Sequence, residues 1–435
     1  MPPLRDDDRS VSGSGGPGAT PPQPNAVVRV LVPFAGAYLL SYLYRSVNAV
    51  IASDLSIDFG LSAAQLGLLT SAYLLAFAAF QLPLGVLLDR FGPRRTDAAL
   101  LVVAAIGALV FALAGGLPSL IAGRALIGLG VSGCLMSGIK ANVVWFPMSR
   151  LAAMNGWMFF AGGVGLMLAT LPVEAAVRLT DWRTVFAALC LLTLAAATLI
   201  FIAVPPREGE ARREALQSQL SGLWQVFRDR RFWPLALCST AMQSTQIATQ
   251  GLWAGPWLRD VAGFDRQAVA ASLLLMAVAT TAGFLFWANF ATWAARRGIA
   301  PFSVFVAGTG AFILFQLLVT IAGRDVALAS WIGYGLFGTA ASLSYAILPQ
   351  RFPSALAGRV NTALNSMVFG WAFVVQWAMG AIIDLWPLPA AGYSPLGYRV
   401  GFGAALAIAL CAWVWMLVQM QRIPRGAEAN AAREK

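Results

Sequence analysis

The sequence predicts an all-α polytopic membrane protein with twelve transmembrane helices in two pseudo-symmetric six-helix halves. Of the 435 residues, 59% are hydrophobic and only 11% are charged, whereas about a quarter of the residues of a soluble domain are charged. Apolar runs of about 18 residues or more recur along the chain, and each is long enough to cross a bilayer as a helix. Landmarks of the first half also return in the second half, which predicts a duplicated architecture.

We predict spans at residues 28–52, 65–88, 97–115, 119–144, 151–175, 184–204, 232–257, 267–291, 301–322, 327–349, 359–383 and 398–420. They form an N-terminal bundle (28–204) and a C-terminal bundle (232–421). A cytoplasmic linker, 205–231, joins them, and its mixture of charged and large apolar residues favours an amphipathic helix on the membrane surface. Residues 1–27, rich in Ser, Gly and Pro, are predicted to form a disordered tail, and residues 422–435 a cytoplasmic tail.

The distribution of charge predicts the orientation in the membrane. The net charge is +11, but the basic residues lie in short loops, which indicates membrane topology and not nucleic-acid binding. Most of the 30 Lys and Arg residues fall on the side that holds the N-terminus. The positive-inside rule therefore predicts that both termini are cytoplasmic, in a multi-pass protein of the cell inner membrane.

The residues that usually bind metals or carry out catalysis are scarce. There is no histidine, and the four cysteines lie inside apolar runs at irregular spacing, as small core residues do. No nucleophile–base pair, phosphate loop or metal cluster is visible. The sequence therefore predicts no enzyme, no cofactor and no metal site.

A short charged turn separates two apolar runs, Gly85-Val86-Leu87-Leu88-Asp89-Arg90-Phe91-Gly92-Pro93-Arg94-Arg95. Gly92 and Pro93 favour a chain reversal. Asp89, at a helix end, can pair with a guanidinium or accept hydrogen bonds from a neighbouring helix N-terminus. A solvated loop between two helices is the alternative. The corresponding stretch of the second half, residues 288–298, keeps a basic end but has Thr292 where the first copy has its acid.

These features resemble the major facilitator superfamily. The turn is similar to that family's G-x-L-x-D-R-x-G-R-R loop, and the Arg-x-x-x-Gly spacing from Arg124 to Gly128 is similar to its fourth-helix motif. The resemblance covers about residues 28–420. It implies a monomeric secondary transporter that works by alternating access, with Asp89 and Arg90 locking the inner gate. The residues of the gating motif would be Gly85, Asp89, Arg90, Gly92, Arg94 and Arg124; a structural role for Arg124 stays open.

Arg45 is the main candidate for binding the substrate, since a charge inside a membrane span is costly and usually functional. Tyr42-Leu43-Tyr44-Arg45 resembles the first helix of organic-anion and phosphate-ester transporters of the superfamily, where an arginine binds the anionic group. The alternative is an arginine that extends to the outer interface. Lys140, on the fourth span, has the same two interpretations. The phosphate-ester branch is expected to carry a second arginine on the seventh span, and its absence here favours a carboxylate.

The second half offers neutral polar groups. Gln243, Gln246 and Gln250 form one stripe on the seventh span, and Asn361 and Asn365 lie on the eleventh. Either stripe can line a cavity or form hydrogen bonds between helices. Together with Arg45 and Lys140, these residues are the predicted substrate-binding set.

The acidic residues bear on coupling. We expect the carboxylates to lie at or beyond span ends, with none at mid-span, so no group at the membrane centre is expected to take up a proton. A proton coupled through a peripheral carboxylate such as Glu174, or a counter-anion, remains open as the coupling partner. The predicted function is secondary active transport of a small organic anion. The alternative is a drug or metabolite efflux antiporter, although the Gly-Pro ending typical of its fifth-span motif is missing here.

Overall fold

The computed structural model describes residues 27–206, 216–321, 323–353, 356–386 and 392–422. Within these ranges the chain is helical and has no strand. A π-helical turn, Val27–Leu31, leads into the helices of the first half, which are α1 (Val32–Ser46), α2 (Asn48–Phe59), α3 (Ala63–Ala112), α4 (Leu117–Val131), α5 (Cys134–Trp145), α6 (Met148–Leu168), α7 (Leu171–Leu179) and α8 (Trp182–Ala203).

A linking helix, α9 (Leu216–Arg228), precedes the second half. That half consists of α10 (Trp233–Ala248), α11 (Ala254–Asp260), α12 (Arg266–Arg296), α13 (Pro301–Ile321), α14 (Arg324–Gly338), α15 (Ser344–Ile347), α16 (Ala357–Ile383) and α17 (Pro395–Arg422). The predicted tails, apart from Val27 and Arg422, and part of the predicted linker lie outside the described residues.

Among the described residues, ten helical stretches, or eleven if the bent pair of α6 and α7 counts as one span, are long and apolar enough to cross a membrane; α3 supplies two of them, and α4 with α5, and α14 with α15, supply one each. The remaining predicted span, 232–257, coincides with α10, a π-helical turn (Thr249–Trp253) and α11. Its glutamine, serine and threonine side chains make it more polar than the other spans. The prediction of a multi-pass, all-helical membrane protein is confirmed.

The charged turn predicted between the second and third spans is a sharp kink inside the long helix α3. Gly92 has φ +74° and ψ 167°, a left-handed conformation that favours glycine. Pro93 follows it and begins a new helical segment because its fixed φ suits the first turn of a helix. The predicted chain reversal at Gly92 and Pro93 is confirmed.

The two halves meet closely at the end of the bundle that we call the Asp384 end. Asp384, at the C-terminus of α16, accepts hydrogen bonds from the Ser62 hydroxyl (2.7 Å) and from the N–H groups of Ala63 (2.8 Å) and Ala64 (2.7 Å), at the start of α3. Gly380 lies so close to the backbone of Ala63 that a side chain there would clash. The opposite end, which holds the Gly92 kink, is the Asp89 end.

The linking helix α9 packs along α16 at the Asp89 end. Leu223 and Val226 are buried, whereas Trp224 is 59% exposed. A helix with one buried face and one exposed aromatic side chain agrees with the amphipathic helix predicted for the linker.

Candidate functional site

Two helices with local irregularities approach each other, one from each half. In the first span the residue between α1 and α2, Val47, keeps helical dihedral angles, and the seventh span contains the π-helical turn Thr249–Trp253. Gly251 in that turn faces the Arg45 carbonyl oxygen, which lies 3.6 Å from the position that a Cβ atom would take.

Arg45 lies at this crossing, in the last turn of α1, and aromatic rings surround its guanidinium. The guanidinium carbon is 4.5 Å from the centre of the Tyr42 ring, 5.5 Å from that of Phe77 and 4.9 Å from that of Phe369. Tyr42 and Phe77 belong to the first half, and Phe369 belongs to α16 of the second. Arg45 Nε is buried and has no hydrogen-bond partner among the described residues. The charge is therefore held between the halves by ring faces, and at least its Nε–H is available for an anion.

Close packing against α6 keeps the aromatic side chains of α1 in place. Tyr38 and Tyr42 make an edge-to-face contact with ring centres 5.1 Å apart. Gly162 of α6 lies against both rings, and a Cβ there would come within 2.8 Å of Tyr38 and 3.0 Å of Tyr42. Only a residue without a side chain lets α6 approach this closely, so Gly162 helps to fix the ring that stacks on Arg45.

A second buried guanidinium lies in the same half. Arg124 on α4 is fully buried; its Nη1 donates to the Tyr44 carbonyl oxygen (2.9 Å), and its guanidinium carbon lies 5.1 Å from the centre of the Tyr73 ring. Its Nε and Nη2 have no partner among the described residues. Tyr73 also interacts with Arg45, so this tyrosine is a neighbour of both arginines. Arg124 is fully buried and Arg45 partly buried, and neither forms an ion pair with a carboxylate of the described residues, which makes this region favourable for an anion.

The second half brings Asn365 and Tyr345 to this region. The Tyr345 hydroxyl donates to Asn365 Oδ1 (3.0 Å), and the charge of Arg45 acts on that hydroxyl. Asn361, one turn away on α16, has a buried Oδ1 without a partner among the described residues. Of the polar residues predicted on the eleventh span, Asn365 is thus linked to the Arg45 region through Tyr345, and Asn361 keeps an unused acceptor.

The three glutamines of the seventh span do not share one environment. Gln243 Nε2 donates to the Ala341 carbonyl oxygen (3.4 Å), and Gln246 is buried against Gly338. Both contacts lie within the second half, as in hydrogen bonding between helices. Gln250, in the π-helical turn, donates to Thr280 (3.1 Å) and lines a small cavity together with residues of both halves. The structure brings only Gln250 to the crossing between the halves.

Lys140 lies away from Arg45, at the Asp89 end. Its ammonium group contacts Asp89 Oδ1 at 2.5 Å and the Leu88 carbonyl oxygen at 2.8 Å. Asp89, in the predicted gating loop, therefore pairs with a lysine of α5, a partner that the sequence interpretation did not name. This contact ties the kink in α3 to α5, and we do not include Lys140 in the proposed substrate site.

The other residues of the predicted gating motif have separate roles. Arg94 Nε and Nη2 donate to the Phe201 carbonyl oxygen at 2.8 and 2.6 Å, which fastens the kink to the C-terminal end of α8. The guanidinium of Arg90 lies 5.2 Å from the centre of the Phe91 ring, and Gly85 lies within α3. Arg124 contacts α1 and α3 near Arg45, so the structure does not place it with the Asp89 loop.

Charged groups link the halves at the Asp384 end. Arg266, the first residue of α12, forms two 2.8 Å hydrogen bonds with Asp54 and donates from Nε to Glu174 (2.6 Å). Arg178 also donates to Glu174 (2.8 Å), from within the first half. Glu174 has a side chain only 3% exposed. This carboxylate, which the sequence left open as a peripheral coupling group, is thus part of an ion-pair network between the halves.

The sequence interpretation missed Asp97. Asp97 lies on α3, five residues after the Gly92 kink and at the start of the predicted third span, and it is fully buried. Neither carboxylate oxygen has a hydrogen-bond partner among the described residues. A search for single charges inside apolar runs, applied to acids as it was to Arg45, would have found it.

Comparison with known proteins agrees with this geometry. A family model described as Major Facilitator Superfamily matches residues 34–376. The hexuronate transporter of Escherichia coli (strain K12) is 25% identical over 248 residues, which cover 53% of this chain and 57% of that protein. The chain therefore spans a little over half the length of this relative. The probable L-galactonate transporter of the same strain is 23% identical over 376 residues, with 80% of this chain and 81% of that protein covered.

The fold is also similar to a solved structure. A bacterial homolog of the human lysosomal transporter Spinster superimposes with a TM-score of 0.73 at 16% identity, covering 91% of this chain and 97% of the other. At this level of identity the similarity shows the fold alone. The family model, by contrast, matches well over half of the chain, and it matches the part that contains Arg45, the Gly92 kink and the π-helical turn Thr249–Trp253. The chain belongs to the Major Facilitator Superfamily.

Proposed function

We propose that this protein is a secondary active transporter that moves a small organic anion, of the sugar-acid class, across the cell inner membrane by alternating access. One observation carries the proposal: Arg45 presents a partly buried guanidinium between the two halves, with no carboxylate paired to it among the described residues and with its Nε unpaired there. A guanidinium binds a carboxylate through two parallel hydrogen bonds. The relatives named for hexuronate and L-galactonate support a carboxylate-bearing sugar as the substrate.

The neighbouring residues support the same substrate class. A sugar acid combines one carboxylate with several hydroxyl groups, so its site needs a positive charge and neutral hydrogen-bonding groups. Arg45 and Arg124 supply positive charge from the first half, whereas Asn365, Tyr345 and Gln250 of the second half can bind hydroxyl groups. Tyr42 and Phe369 offer ring faces of the kind that pack against the apolar faces of sugars.

The proposed orientation places the Asp89 end and both termini in the cytoplasm. The arginine-rich kink after Gly92 lies at this end, as the positive-inside rule requires. In this orientation the described contacts at the Asp384 end close the outer side. The coupling partner is a proton or a counter-anion, and the protein acts as a monomer.

Binding by the purified protein tests the proposal. The thermal shift is measured with D-galacturonate, L-galactonate, glucose 6-phosphate, glucose and a lipophilic cation, for the wild type and for Arg45→Ala and Arg45→Lys. We expect the sugar acids to stabilise the wild type. Arg45→Ala should abolish the shift, and Arg45→Lys should weaken it because an ammonium group lacks the planar fork.

Arg324→Ala is the matched control. Arg324 is exposed at the start of α14, and its loss should leave the sugar-acid shift unchanged. Stabilisation by the lipophilic cation that persists in Arg45→Ala would refute the proposal and favour the efflux antiporter. A shift with glucose 6-phosphate alone would move the substrate to phosphate esters.

A further inference from the structure

Asp97 is a fully buried carboxyl group that the proposed substrate site does not use. It lies on α3, five residues after Gly92, and faces α5. A Cβ on Gly133 would come within 3.1 Å of Asp97 Oδ1 and 3.3 Å of Leu84, so glycine leaves just enough room for the carboxyl group. Neither of its oxygens has a hydrogen-bond partner among the described residues. A carboxylate charge without such partners is costly to bury, whereas the neutral acid costs far less.

The groups that face Asp97 supply no counter-charge in direct contact. On α5 its polar neighbours are the Cys134 thiol and the Ser137 hydroxyl. Lys140, one turn beyond Ser137, is bound to Asp89 and the Leu88 carbonyl oxygen. On α3 itself, Arg94 is bound to the Phe201 carbonyl oxygen, and Arg95 is exposed at the surface.

Cys134 connects Asp97 with the substrate site. The charges of both Asp97 and Arg45 act on the Cys134 thiol, and Cys134 also interacts with Tyr38. Asp97 and Arg45 therefore both act on one small, fully buried side chain. In a low-dielectric interior, two charges that share such a neighbour also affect each other.

We propose that Asp97 is the proton-carrying group of this transporter and takes up one proton when an organic anion occupies the Arg45 site. The inference rests on the proposed function. While the site is empty, the positive charge of Arg45 favours ionised Asp97. A bound carboxylate neutralises Arg45, the ionised form loses that support, and one carboxylate oxygen binds a proton from water on the side to which the site is open.

The cycle is balanced in atoms and charge. One anion and one proton enter together, the O–H bond forms on binding, and it breaks when the anion leaves on the other side and Arg45 is again uncompensated. By reciprocity, protonation of Asp97 strengthens binding of the anion by the same factor. Transport of a monoanion with one proton carries no net charge across the membrane.

Infrared difference spectroscopy on the purified full-length protein tests the site directly. We expect D-galacturonate to increase the carbonyl band of a protonated carboxyl group in the wild type. The band should be absent in Asp97→Asn, which has the shape of the neutral acid, and unchanged in Asp325→Asn, which alters an exposed acid at the start of α14. A pH titration of the same band without any ligand reports on Asp97 even if D-galacturonate does not bind. Failure of the proposed substrate is thereby distinguished from failure of the proposed proton-carrying role of Asp97.

Transport in proteoliposomes tests the coupling. In Asp97→Asn, proton uptake driven by D-galacturonate should be lost, whereas exchange of labelled for unlabelled D-galacturonate should persist, because exchange needs no net proton movement. Proton uptake equal to that of the wild type in Asp97→Asn would overturn the proposal. The absence of any Asp97-dependent band in the titration would also overturn it. Loss of exchange in Asp97→Asn at the wild-type melting temperature would overturn it as well, because it would indicate a structural role for Asp97.

Discussion

Removal of Arg266 should open the Asp384 end. Its guanidinium is the group through which α12 of the second half holds Asp54 and Glu174 of the first half. In Arg266→Ala, Asp54 loses its bidentate partner, and Glu174 keeps only Arg178, which lies in its own half. The variant therefore destabilises the arrangement closed at this end without changing the packing inside either half.

The size of the effect follows from the exposure of the partners. Exposed ion pairs contribute about 0.2–1 kcal/mol, whereas breaking a buried pair costs about 3–5 kcal/mol. Arg266 is 43% exposed, Asp54 20% and Glu174 3%, so we place the loss between these limits, at about 2 kcal/mol. Since about 1.4 kcal/mol corresponds to a factor of ten, the ratio of open to closed molecules should rise about thirtyfold.

Electron–electron distance measurements between spin labels test this prediction. The labels are placed at Leu179, which is 85% exposed in the first half, and at Val326, which is 51% exposed in the second. Cys411 is replaced by serine because it is the exposed cysteine, and the other three are buried. We expect a longer distance to become populated in Arg266→Ala at the expense of the short one.

Arg178→Ala is the matched control. It removes another guanidinium from Glu174, but the pair is internal to α7, so the distance distribution should stay close to that of the wild type. An unchanged distribution in Arg266→Ala would refute the reasoning. A shift of equal size in both variants would also refute it, because it would show that the charge on Glu174 matters and the link between the halves does not.

Three further predictions concern the ends of the bundle. Asp384→Asn weakens the cap on α3 by about 1 kcal/mol, and the same labels should show a roughly fivefold rise of the open population. Gly380→Ala places a methyl group against the α3 backbone, and it should lower both the melting temperature and the rate of D-galacturonate exchange. The control is Gly370→Ala on the same helix, which has open space around it and should change neither quantity. A hydrogen bond from Arg231 lowers the pKa of Asp229. This pair therefore stabilises the fold above the ordinary aspartate pKa, and its contribution is lost as the pH falls below about 4. Asp229→Asn should flatten the acid side of the plot of melting temperature against pH, because it removes a contribution of less than about 1 kcal/mol to the free energy of unfolding.

The sequence was sufficient for features that depend on local pattern. Apolar runs predicted the helices because the bilayer fixes the length of a span. Gly92 and Pro93 predicted the kink because glycine adopts positive φ angles at little cost, whereas proline fixes φ and cannot continue a helix from the preceding turn. Arg45 stood out because a charge within an apolar run has few explanations, and its contacts with rings of both halves agree with the predicted location.

The features that escaped prediction depend on which helices become neighbours. Asp89 pairs with Lys140, 51 positions away, and Arg266 with Asp54, 212 positions away. Spacing along one helix cannot identify such partners, because the topology of the bundle brings them together. The three glutamines differ in environment for a related reason: the π-helical turn that begins at Thr249 changes the helical register before Gln250, which a regular helical spacing does not predict.

The contact between Arg45 and Phe369 provides a physical connection between substrate binding and movement of the halves. A ligand shifts a conformational equilibrium only by the difference in its affinity for the two states. In the present arrangement the guanidinium, held by the first half, lies 4.9 Å from the centre of a ring of the second half, a contact of about 0.5–2 kcal/mol. An anion bound to the Arg45 guanidinium reduces the positive charge that attracts the Phe369 ring. It therefore weakens this contact between the halves. The charge that we propose as the substrate-binding group therefore also takes part in holding the halves together. On this basis we expect an anion, unlike a neutral sugar, to change the balance between the two arrangements.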